Sequence, residues 1–131
     1  MINTYKAYLE NSAGSELKIE DAMNIYDRMA GSIDSCKMEE KFDFWKDFLK
    51  AAAEYTKIRN DWEFMSREER LEADKGRSIA HDGFITSLNI LSRIAENEEQ
   101  DTSWRKELGE ERKRLGDFAC FVAHITGISN R

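Results

Sequence analysis

The sequence predicts an all-α fold, on three observations. Proline is absent from all 131 residues, so no ring removes a backbone donor from a helix interior. β-Branched residues are sparse, while Ala, Glu, Lys, Arg, Leu and Met fill long stretches, a mixture whose intrinsic preference is helical. Apolar residues also recur at the helical period in successive segments. The predicted architecture is an up-down bundle of four main helices, mostly antiparallel, with a short fifth helix at the N-terminus. Residues 1–131 are read as a single domain with one core.

Met1 to Asn11 forms the short helix, with Ile2, Tyr5, Tyr8 and Leu9 on one side, ended by the linker Asn11 to Ser15. Glu16 to Ala30 is the first main helix, lined by Ile19, Met23, Tyr26 and Met29 and stopped at Gly31. The second starts near Asp34 or Ser35 and carries Met38, Phe42, Trp45, Leu49, Ala52 and Thr56 along one line. Ser66, with Glu69 three places on, is a capping-box signature, so a turn falls near Phe64 to Ser66. The third helix then runs through Leu71, Ile79, Phe84, Leu88, Leu91 and Ile94. Asp101, Thr102 and Ser103 are three good caps in a row before a final helix with Trp104, Leu108, Leu115, Phe118, Val122 and Ile125 inward, terminated by Gly127.

The balance of 26 acidic against 20 basic side chains, a net charge of -6, opposes general binding to nucleic acid or to an anionic membrane surface. The start of the chain lacks the basic region and apolar core of a signal peptide. No apolar run approaches the roughly 20 residues that span a bilayer. Cys36 and Cys120 are far apart and fit neither a disulfide framework nor a thiolate metal site, so both are read as reduced thiols of a cytoplasmic protein.

Polar residues on inward lines mark the candidate site. At about 100° per residue, Arg70, Asp74, Arg77 and His81 share a side of the third helix with Phe84 and Leu88. The inner line of the second helix changes in the same way, through Thr56, Arg59, Asn60 and Glu63. A tight turn between the two helices sets these polar stretches level with each other. The predicted cluster is Arg59, Asn60, Glu63, Arg70, Asp74, Arg77 and His81, a locally positive pocket in an acidic chain, suited to a small anion, a phosphate group or a partner's carboxylate. The bland reading of the same residues is mutual ion pairing at a bundle end, and His81 alone reads most simply as a satisfied core histidine.

On the last helix, Glu111 falls on the core line, and His124 lies on the opposite face with Lys113, Asp117 and Cys120, so His81 and His124 diverge rather than share a metal. The opposite stripe of the third helix, Asp82, Thr86, Asn89 and Arg93, is read as a thin solvated face. No metal or cofactor motif is present, neither Glu-x-x-His, His-Glu-x-x-His nor a phosphate-binding glycine loop. Helical phosphohydrolases with a His-Asp pair such as His81-Asp82 need a further histidine upstream, and this chain has none there. Glu68, Glu69 and Glu72 have the spacing of carboxylates that hold Mg²⁺ in helical pyrophosphohydrolases, but no paired acidic motif on a second helix accompanies them.

Arg77-Ser78-Ile79-Ala80-His81 resembles the arginine-histidine motif of HEPN ribonucleases, helical bundles that are often dimers, with a shorter gap than that family uses. The longer pattern Arg77-x3-His81-Asp82-x2-Ile85-x2-Leu88-Asn89-x-Leu91-x-Arg93, followed by Arg112-x2-Leu115-Gly116-Asp117-Phe118-Ala119, resembles small bacterial helical proteins of unknown function. That resemblance implies a compact bacterial or phage-encoded domain and names no activity.

Gly76 and Gly83 are seven apart, as are Gly109 and Gly116, which predicts close approach between helices. A second apolar stripe of Tyr55, Ile58, Trp62 and Met65, with Phe44 and Phe121 off their core lines, leaves surplus apolar surface for a homodimer to cover. The functional expectation is a small interaction or regulatory module, acting as a homodimer or on a protein partner. The alternative is an enzyme handling a small anion, a nucleotide or RNA, with Arg77 and His81 as binding and acid-base groups.

Overall fold

The computed structural model describes residues 17–127 and contains, among them, five helices and no strand. They are α1 (Ile19–Asp34), α2 (Lys41–Trp62), α3 (Arg67–Asn97), α4 (Ser103–Leu108) and α5 (Arg112–Thr126). The all-α bundle is as the composition predicts; the proposed N-terminal helix lies outside the described residues.

The turn after α2 is closed by the predicted capping box: the Glu69 amide donates to Ser66 Oγ at 3.1 Å and the Ser66 amide to Glu69 Oε1 at 2.9 Å. This sends α3 back along α2, and three contacts fix the antiparallel register. Arg70 Nε donates to the Trp62 carbonyl at 2.9 Å, Tyr55 meets His81 edge to face at 5.4 Å, and Phe48 stacks on Phe84 at 5.7 Å. A run of aromatic rings from α1 to α3, Tyr26, Trp45, Phe48 and Phe84, ties the elements together at centroid distances of 5.4 to 5.8 Å. Helix α5 is buried at every position from Leu115 to Ala123, as expected of a helix enclosed by neighbours on all sides.

Several boundaries and faces differ from the sequence expectation. Helix α1 runs through Gly31 to Asp34, and α2 begins only at Lys41. The intervening segment is pinned instead by Glu98, whose carboxylate accepts from the amides of Lys37 at 2.6 Å and Met38 at 3.2 Å. The buried line of α2 also differs: Phe42 is 60% exposed, and Phe48 and Tyr55 take core positions beside Ala52 and Thr56. Leu71 and Ile79, expected inward, are 73% and 62% exposed. Tyr55 and Phe121, expected as surplus surface, are buried.

The final helix is two helices. Gly109, at φ 77°, interrupts it, and Glu111 becomes the exposed N-cap of α5 rather than a core residue. The glycine pairs do not bring helix backbones together: a Cβ at Gly76 or Gly83 would meet nothing within 4 Å, and one at Gly116 would meet the Arg59 guanidinium at 2.7 Å. Gly127, at φ 74°, ends α5 as predicted.

Candidate functional site

The polar ends of α2 and α3, with the start of α5, enclose a cleft of about 380 Å³ lined by Tyr55, Arg59, Trp62, Glu63, Arg77, Arg112 and Lys113. Trp62, in the last turn of α2, is its central wall. The Arg77 guanidinium lies over the Trp62 ring at 4.4 Å, and that of Arg70 lies 5.6 Å from the same centroid. Cation–π contact of this kind orients a guanidinium without neutralising it. Arg70 has its Nε tied to the Trp62 carbonyl. Among the described residues, Arg77 has no carboxylate within 4.0 Å, and its Nε is buried with no hydrogen-bond acceptor.

Arg59 stands on a different footing. Its Nη2 donates to Asp117 Oδ1 at 3.2 Å and its Nη1 to Cys120 Sγ at 3.3 Å, and Asp117 is fully buried. Gly116 makes the space for this guanidinium, since any side chain there would strike it. Burial pushes the Cys120 thiol up, and the Arg59 charge pulls the other way. The pair is a structural lock at the floor of the cleft, with the charge of Arg59 already answered.

His81 does not line the cleft. Its ring packs edge-on against Tyr55, its Nδ1 stands 3.4 Å from Asp82 Oδ1, and its Nε2 is buried without a partner. The seven residues predicted as one cluster are therefore divided. Arg59, Glu63 and Arg77 share the cleft, Arg70 and His81 flank its aromatic walls, and Asn60 and Asp74 are exposed outside it.

Asp117, Arg112, Lys113 and Arg105 belong to the polar framework and were not foreseen. The helical phase puts Asp117 opposite the core line of Leu115, Phe118 and Val122, but α5 is enclosed on every side, so that opposite face is buried too. Arg105 is buried in α4 with three partners at 2.8 Å: its Nε donates to Asn89 Oδ1, Nη1 to the Gly109 carbonyl and Nη2 to Glu110 Oε1. An Arg flanked by a glycine turn and a glutamate five residues on was the available signal.

No protein-family model, no curated protein and no solved structure matches the chain. The functional reading accordingly rests on the chemistry of this cleft.

Proposed function

We propose that the chain is a binding module whose cleft takes a small phosphate-bearing anion. One observation carries the reading: Arg77 is held against Trp62 with its guanidinium unpaired and its Nε buried and unsatisfied. A guanidinium without a counter-charge is answered by an oxyanion lying in its plane, a charge-assisted contact about twice as strong as a neutral one. Arg112, which lines the same cleft, also has no carboxylate within 4.0 Å among the described residues, so two guanidinium groups are available to the same ligand. The volume suits a small ligand rather than a folded partner. Glu63 on the rim is an acceptor for a ligand hydroxyl or amine. Binding rather than turnover is proposed because His81, the expected acid-base group, stands behind Tyr55.

The test is a thermal-shift and calorimetric titration with inorganic phosphate, adenosine monophosphate and acetate, on the wild-type chain and on Arg77→Ala and Arg77→Lys. At a phosphate concentration 100 times Kd the expected stabilisation is about 2.7 kcal/mol. Arg77→Ala abolishes it, and Arg77→Lys weakens it because an ammonium lacks the planar fork. Equal phosphate stabilisation of wild type and Arg77→Ala contradicts the proposal.

A second reading, an interaction module, is supported by a separate observation: Phe42, Phe64, Leu71 and Ile79 are each at least 60% exposed.

A further inference from the structure

Along the outward face of α3, two isoleucines and two bare glycines lie between Glu72 and Arg93, charges of opposite sign. Glu72, Ile79, Thr86 and Arg93 recur every seven residues along it, and Gly76, Gly83, Ile90 and Asn97 recur every seven residues beside them. All eight are exposed, with Ile79 at 62% and Ile90 at 37%. Residues three and four apart share one side of a helix, so the two columns form a single exposed strip along which a second helix can lie.

We propose that this face packs on the same face of a second copy of the chain, antiparallel about a two-fold axis passing between Phe84 and Ile85. In that register Ile79 lies level with the partner's Ile90, Thr86 with the partner's Gly83, Arg93 with the partner's Gly76, and Glu72 with the partner's Asn97. Each layer occurs twice, as an isologous interface requires. The isoleucines bury one another. Gly76 and Gly83, open in the single chain, leave room for the side chains that cross them.

Charge selects this arrangement over its rivals. Arg93 crosses the bare backbone at the partner's Gly76 and ends one helical turn, about 5 Å, from the partner's Glu72, so opposite charges meet at both ends of the seam. A parallel pairing sets Glu72 against Glu72 and Arg93 against Arg93. Sliding the antiparallel pair by seven residues in either direction separates the isoleucines and places Ile79 against Gly83 or Asn97. The second copy is therefore the occupant whose own surface supplies both the knobs and the gaps.

Sedimentation equilibrium of the full chain tests the proposal. The wild type is expected to be a dimer. Glu72→Arg alone and Arg93→Glu alone each weaken it about tenfold or more by setting like charges together, and the double variant E72R/R93E recovers most of the loss. Gly83→Leu, inside α3 with nothing among the described residues within 4 Å of a Cβ there, keeps the helix content and does not lower the monomer's thermal midpoint, yet abolishes the dimer. A wild type that stays monomeric up to about 1 mM overturns the proposal. So does a dimer indifferent to Gly83→Leu, or one that the double charge exchange weakens as much as the single reversals.

Discussion

Arg59 on α2 and Asp117 on α5 form a closed ion pair, with Nη2 to Oδ1 at 3.2 Å and the carboxylate wholly buried. Removing one member of a buried pair strands the other's charge in the interior, a loss of about 3–5 kcal/mol. Asp117→Ala is expected to fall in that range by denaturant unfolding. Arg59→Met combined with Asp117→Leu is expected to cost less than either partner's removal alone.

Two glycine substitutions separate space from conformation. Gly116→Ala places a methyl at 2.7 Å from the paired Arg59 guanidinium and lowers the thermal midpoint. Gly31→Ala, inside α1 with nothing within 4 Å, raises stability by up to about 1 kcal/mol through helix propensity. Calorimetry of the two single variants reads both signs.

Arg105 closes the joint between α4 and α5 by bonding Asn89, the Gly109 carbonyl and Glu110. Arg105→Met keeps the stem and removes these bonds. Loss of about 2–3 kcal/mol is expected, with amide exchange rising first around Gly109, where the break depends on that guanidinium.

Glu98 provides a pH handle. The amides of Lys37, first, and of Met38 bond to its carboxylate and hold it below the ordinary value of 4.5. A folded-state value lower than the unfolded one contributes stability that is present above 4.5 and is lost as pH falls through that value toward the lower one. Ser66 acts likewise on Glu69, and Ser103 on Asp101. Thermal midpoints from about pH 7 down to about pH 3 should fall for the wild type and fall less steeply for Glu98→Gln.

Cys120 should resist thiol reagents in the native state. It is buried, burial pushes its thiol up, and the thiolate is the reactive form. In Cys36→Ser, colorimetric titration is expected to find no rapidly reacting thiol in buffer and one in denaturant.

What the sequence made legible follows its local physics. The Ser66–Glu69 box, the Gly127 terminator and the inward turn of Arg77 and His81 are set by neighbours three to four residues away, and they stand where the spacing puts them. The starting point of α2 was not legible, because a carboxylate sixty residues on, at Glu98, competes for the amides of the 35–40 segment. Glu111 was misplaced because Gly109, at positive φ, breaks the helix before it, and Asp117 because α5 is enclosed on every side and has no outer face between Leu115 and Ala123. The cleft was legible in Arg59 and Arg77 but not in Arg112 or its aromatic wall, since Trp62 reads equally well as surplus apolar surface.

Arg77 is the group proposed to meet the anion. Two-dimensional NMR of arginine Nε–Hε groups, with the Arg77 signal assigned through Arg77→Lys, observes that donor directly during titration with inorganic phosphate. The prediction is a saturable shift of the Arg77 signal, while that of Arg59, held by Asp117, stays in place. An Arg77 signal that does not move, while exposed arginines drift together with ionic strength, contradicts it.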